Sequence, residues 1–230
     1  MNSRIAQLRH AAAFVANHGI GGFSRELCHR CVNLYYERRL GVATAGRVKL
    51  TDIGVSRSDA RDSMPIGYGA FFSIFKRIPL PKPDVVFLDF GVGKGRAVCA
   101  AATFPLKQIV GVELSEALAE VALFNIERMR HRKTMRIDIR RGDATELRLS
   151  RDVNLVYFFN PFAGDTLVKV VENIHRSHQE FPRKIYVIFF NNDHFDKVVR
   201  GEQWIKKIYQ KTFYPRIACG VYETVSAALS

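Results

Sequence analysis

From Asp84 onward the chain alternates short apolar runs with stretches of helical period: VVFLDF, GRAVCAAATF, QIVGVEL, SEALAEVALFNIERM, MRIDIRRGD and VNLVYFFN. Unbroken apolar strands are the mark of a sheet covered on both faces, and their alternation with helices predicts parallel crossover units. The series continues with a helix over 165–178, the strand KIYVIFFNN, a short helix near His194, and two final strands at 204–213 and 216–225. Two strands in succession imply an antiparallel hairpin on an otherwise parallel sheet. The fold class is α/β.

Residues 4–40 have helical periodicity, with a break expected at 19–22, where three glycines fall, and an amphipathic segment from Ser24 to Leu40. Leu27, Cys31, Leu34 and Tyr35 recur at helical spacing and are expected to form its buried face. A loop-rich bridge over 41–69 leads to a short apolar helix at 70–75, after which Pro79, Pro81 and Pro83 stop regular structure. The chain therefore divides into a helical cap on the substrate side, residues 1–64, and a sheet domain, 65–230.

Lysine and arginine outnumber aspartate and glutamate by 35 to 22, for a net charge of +13. That excess draws polyanions and acidic surfaces, and it makes nucleic acid a partner to consider. The densest basic stretch, 128–136, lies where an amphipathic helix is expected to end and its dipole welcomes cations. No acid precedes Glu26, so the first residues with Arg4 and Arg9 also fit a transit peptide; the reading adopted is a helix of the fold. No window approaches the roughly 20 unbroken apolar residues of a membrane span, so no membrane partner is expected. Four cysteines make no disulfide framework, which points to a reducing, cytoplasmic setting. Cys28 and Cys31 have the spacing of a zinc half-site, but a structural site needs four ligands and no second pair accompanies them. No metal is expected.

The stretch DFGVGKGRAV, 89–98, ends the first strand and opens a helix. Ligands of an open parallel sheet sit beyond the carboxyl ends of its strands. Gly91, Gly93 and Gly95 let the backbone turn tightly there and approach a ligand closely. A dinucleotide would prefer GxGxxG and would be repelled by Asp89; an ammonium-bearing ligand would donate to that carboxylate. The next strand ends in Glu113, followed by Leu114, where an acid takes the two hydroxyls of a ribose. The third ends at Asp143, followed by Ala144, where an acid accepts from an exocyclic adenine amine. Gly-Asp is also ordinary turn chemistry.

An amino acid head, a ribose and an adenine, each met by an acid at successive strand ends, match S-adenosylmethionine (SAM). Over 65–225 the sequence resembles the class I, Rossmann-like SAM-dependent methyltransferases, with D-x-G-x-G-x-G at 89–95, Glu113 and Asp143. That resemblance implies strand order 3-2-1-4-5-7-6 with strand seven antiparallel, and S-adenosylhomocysteine as product. As a whole pattern the chain is similar to a bacterial branch with a YERRLG-like segment (36–41), FLDFGxGKGR (87–96), GVELS (111–115) and FNPF (159–162).

Methyl transfer is an in-line displacement, so the protein must chiefly align an acceptor lone pair with the methyl carbon. Asn160-Pro161-Phe162 follows the fourth apolar run. An amide oxygen from Asn160 and the carbonyl of Pro161 would hold an amine by its hydrogens, and Phe162 would cover it and favour positive charge. The tripeptide resembles the NPPY or DPPY motif of amino-group methyltransferases, less one proline. Phe159 to Gly164 resembles, distantly, a segment of the non-SET histone lysine methyltransferases. A turn after a buried strand is the plain alternative for NPF. His194 is a candidate base or orienting group, and Tyr68 a candidate lid over the methionine moiety. The expected reaction is methylation of nitrogen, in a protein lysine or another amine. Alternatives are base amino groups of nucleic acid, and oxygen in a small molecule. A metal-assisted version of the last needs acids near strand four, where Asp165 lies beyond Asn160.

Overall fold

The computed structural model describes residues 2–53, 59 and 61–225, and their side chains except at 2–20, 50 and 53. Its centre is a seven-stranded sheet made of β1 (Val86–Phe90), β2 (Gln108–Glu113), β3 (Ile137–Arg141), β4 (Leu155–Phe159), β5 (Tyr186–Phe190), β6 (Ile205–Phe213) and β7 (Ile217–Thr224). The order is β3-β2-β1-β4-β5-β7-β6, and β7 runs antiparallel to both neighbours, as expected. All five residues of β1 and of β5 are buried. On one face Phe90, Phe158 and Phe189 stack across three strands at ring separations of 5.0 and 4.9 Å. On the other, Phe87 and Tyr157 meet Phe71 and Phe75 of the helix α2, Tyr68–Phe75, and Phe190 packs on Tyr157. This double coverage is why the strands read as apolar runs with no alternation.

The N-terminal helix α1 runs unbroken over Asn2–Leu40. The break expected at 19–22 does not occur: a glycine costs a helix about 1 kcal/mol, which weakens it without stopping it. The expected buried face is also corrected. Leu27, Leu34 and Tyr35 are 52%, 50% and 55% exposed, and Cys31 is exposed. The side turned to the sheet domain is largely polar, because α2 offers an unpaired backbone N–H there. The Asn33 side-chain oxygen accepts from the Tyr68 N–H at 2.9 Å, and Tyr36 packs on Tyr68 and Phe72. The helix ends at Gly41, where φ is +70°, and its last carbonyls are taken by Arg128 and Arg130.

Beyond α1 the chain forms a strap that crosses the carboxyl ends of the strands. Asn125 holds it through the Ala43 N–H (2.8 Å), Lys94 through the Ala45 carbonyl (2.8 Å), and Val48 bridges to Ser63. Arg61 N–H then donates to the Pro161 carbonyl at 3.0 Å, and Ala163 N–H donates to the Asp59 carbonyl at 2.9 Å. The Asp59 carboxylate accepts from the Thr166 hydroxyl.

Candidate active site

β1 delivers Asp89 to the carboxyl edge of the sheet, and the loop 91–95 turns the chain into the helix α3, Arg96–Ala101. Gly91, Gly93 and Gly95 all have positive φ, of 77°, 56° and 88°. At Gly91 the demand is double, since a side chain there would also run into Pro161. Gly91→Ala is expected to cost about 2–3 kcal/mol, from roughly 1–2 for left-handed backbone and the rest from overpacking. A urea titration that gave the parent's midpoint would overturn that account.

The strap, the glycine loop and the ends of β1, β2 and β4 enclose a cleft of about 1030 Å³, counting its open mouth. Of the residues expected at the site, the cleft lining includes Asp89, Gly91, Gly93, Glu113, Leu114, Asp143, Ala144, Pro161 and Phe162. Gly95 sits behind the loop as the residue preceding α3, against Ala122.

Asp89 is 1% exposed, and its Oδ2 has no hydrogen-bond partner. Burial pushes its carboxyl well above the ordinary carboxylate range, and the neighbouring negative charge of Glu113 adds to the effect. Glu113 is also raised by burial, against the backbone N–H groups of Ser115, Gly93 and Leu114 that favour its charged form, with Gly93 N–H on Oε2 (2.8 Å) and Ser115 N–H on Oε1 (3.0 Å). Those bonds fix the carboxylate and leave it acceptor capacity for a hydroxyl such as a ribose presents. Asp143 accepts from the backbone and hydroxyl of Thr145, both at 2.9 Å, so it also shapes its own turn. The glycine loop, the unsatisfied Asp89 oxygen and the anchored Glu113 fit a cationic nucleoside with an amino acid head.

Tyr68, His194 and Asn160 are not among the residues that line the cleft, whereas Phe162 is. Tyr68 is fully buried beneath α1, its hydroxyl within reach of Glu37 and Thr44, and it is not among the lining residues. Neither is His194, whose Nε2 faces an Arg61 guanidinium nitrogen at 3.2 Å. Asn160 stands at the end of β4 in the left-handed region, φ 46°, with its side-chain oxygen buried and unpartnered. Phe162 is 7% exposed and packs edge-on against Phe90 and Phe158 while lining the cleft.

Three residues of the site were not anticipated. Arg96 is buried, donates to the Thr44 hydroxyl (2.8 Å), the Ile66 carbonyl (3.0 Å) and Glu37 (3.1 Å), and lies over the Tyr68 ring at 4.8 Å. It thereby joins α1, the strap and the glycine loop. Tyr157, paired in register with Asp89 across β1 and β4, lines the cleft with its hydroxyl buried and unpartnered. Its signal in the sequence is the one polar tip in the run LVYFF. Ser63 roofs the loop: a Cβ on Gly93 would lie 2.5 Å from its hydroxyl.

Residues 87–180 match the family model described as a methyltransferase domain. No curated protein matches the chain in sequence. Solved structures share its fold. A SAM-dependent methyltransferase from Aquifex aeolicus is 11% identical with a TM-score of 0.55, covering 67% of this chain and 89% of its own. An RNA methyltransferase from Salinibacter ruber, in complex with S-adenosyl-L-homocysteine, is 16% identical with a TM-score of 0.54, covering 73% and 99%. A ribosomal protein methylase from Lactobacillus delbrueckii subsp. bulgaricus is 15% identical with a TM-score of 0.50, covering 67% and 76%. Among the described residues no helix is long and apolar enough to cross a membrane. The matched segment, the strand order and the acid-lined cleft stand on one frame, that of a methyltransferase domain with SAM as its methyl donor.

Proposed function

We propose that the protein methylates a nitrogen acceptor, an amine such as a protein lysine side chain or a smaller molecule. The observation that carries this reading is Asn160. A non-glycine residue held at φ 46° stores strain, and a buried amide oxygen without a donor adds about 1–3 kcal/mol, so the strand end is built for something that donates. An amine supplies such donors. The acids lining the cleft favour a cationic or neutral acceptor over an anionic one.

SAM, when bound, supplies an electrophilic methyl on a sulfonium. The chain's own part is to orient and to exclude water. Asp89 receives the ammonium of the donor's amino acid head, Glu113 its ribose, and Asp143 with Ala144 its adenine. Asn160 takes one amine hydrogen and aims the lone pair. The Pro161 carbonyl, already accepting from Arg61, has a second lone pair for another. The roof is the strap, with Asp59, Arg61 and Ser63 to Ile66 on the lining, which gives the N-terminal part, 1–64, its substrate-side role. His194 serves here by steadying Arg61 at the mouth.

The test is methyl transfer from labelled SAM to free amines, lysine-containing peptides, oligonucleotides and catechols, with and without Mg²⁺, read by mass spectrometry. Amine or lysine methylation independent of Mg²⁺ is the expected result. Methylation confined to nucleic acid bases, or to oxygen, would replace the proposal. Asn160→Ala is expected to lower kcat about tenfold, the worth of one hydrogen bond near 1.4 kcal/mol, and to leave SAM affinity unchanged.

A further inference from the structure

Two stretches of chain far apart in sequence bring their cations to one end of the molecule. Arg130 donates from its backbone N–H to the Leu40 carbonyl (2.7 Å) and from its guanidinium to the Arg38 carbonyl (2.9 Å), while Arg128 donates to the Gly41 carbonyl (2.7 Å). These contacts place Arg38 and Arg39, at the end of α1, beside Arg128 and Arg130 at the end of the helix α4 (Glu116–Arg128), and Lys133 and Arg136 follow in the chain that leads on from it. All six are exposed.

Elsewhere the molecule pairs several of its exposed cations: Arg47 with Asp62, Lys107 with Asp152, Arg140 with Asp138, Arg141 with Glu116, and Lys207 with Asp196. Among the described residues none of these six takes a carboxylate. Helix ends explain only part of the cluster. Two C-termini together present about one negative charge, and Glu127, next to Arg128, offsets one more cation at most. A surplus near +4 is left without a carboxylate to balance it. The aromatic part of the patch is equally unusual: Phe124 is 59% exposed, and the Arg128 guanidinium lies over its ring at 5.3 Å.

We infer that this end of α1 and α4 is a docking surface for single-stranded nucleic acid, whose phosphates meet the arginines and whose bases stack on Phe124. Five of the six cations are arginines, whose planar fork matches phosphate oxygens, and an exposed ring backed by a guanidinium is a stacking platform that any base can use. An acidic peptide would use the charge but not the ring. The surface stands apart from the methyl-transfer cleft. Glu113 and Ser115 lie at the cleft end of α4, and the patch at its other end, about 20 Å away along the helix. The cleft is lined by acids and repels a phosphate backbone, so this surface anchors a strand without feeding it to the chemistry.

The test is fluorescence anisotropy with labelled single-stranded RNA and DNA of about 12 nucleotides, titrated with the full chain at salt from about 50 to 200 mM. With about four phosphates engaged, log affinity should fall against log salt with a slope near −3. The triple change Arg39→Glu, Lys133→Glu, Arg136→Glu avoids the arginines that hold the end of α1. It should weaken binding at least about tenfold and flatten the slope. Phe124→Ala should weaken binding several-fold at unchanged slope. Heat stabilisation by SAM, unchanged in both variants, shows that they fold. Binding of either strand type upholds the proposal. It is overturned if the parent fails to bind at the lowest salt, if the triple variant binds as the parent does, or if poly-glutamate or phosphatidylglycerol vesicles compete as well as the oligonucleotide.

Discussion

Asp89→Asn is expected to weaken SAM binding about 100-fold and, at the same time, to make the ligand-free protein more stable at neutral pH. The first effect is the loss of a buried charge-assisted hydrogen bond, worth about 2–3 kcal/mol. The second follows from linkage. The Asp89 carboxyl titrates well above its ordinary value near 4, because it is buried and faces Glu113. The folded state therefore holds a proton that the unfolded state releases, and stability present at acid pH is lost as pH rises from about 4 toward the folded-state pKa. Asparagine carries no such penalty. Melting temperatures of parent and variant should diverge with rising pH, the variant being the higher, while a given concentration of SAM stabilises the parent more than the variant. For the parent, binding the cation pulls the proton off, so SAM affinity should rise with pH. Calorimetry that found equal affinities in the two proteins would remove Asp89 from the cofactor site.

The largest effect on stability is expected at Arg96. Its guanidinium is buried with three hydrogen-bonded partners, and Glu37 is nearly as enclosed. Removing one member of such a pair leaves an uncompensated buried charge, at a cost of about 3–5 kcal/mol. Arg96→Met should therefore lower the urea midpoint more than any glycine-loop substitution. The paired change with Glu37→Leu should recover most of the loss, because burying neither charge is often as good as burying both. An Arg96→Met protein as stable as the parent would show that α1 and the strap are held by other contacts.

The sheet was legible because its strands are buried on both faces, so each stands out as an apolar run of strand length. The three acids at successive strand ends were legible for a related reason: order along the chain becomes order along the sheet edge. The orientation of α1 was not. Hydrophobic periodicity pointed to Leu27, Cys31, Leu34 and Tyr35, whereas the helix is seated through Asn33, Tyr36 and Glu37. A polar seam has no periodic signature, because its value depends on partners far away in sequence. Arg96 was hidden in the same way. Beside the glycines it reads as a residue carried along by the loop with no chemistry of its own, and only the fold shows that it points back into the N-terminal segment. The strap was invisible for want of pattern, since loops carry no periodicity even where they make about a third of a cleft's lining.

That strap meets Gly93 through Ser63 and the 161–166 turn through Arg61 and Asp59. With donor and acceptor placed as proposed, both lie under a single ceiling, so a substitution that loosens its seat at Ser63 or Asp59 should weaken the grip on both together.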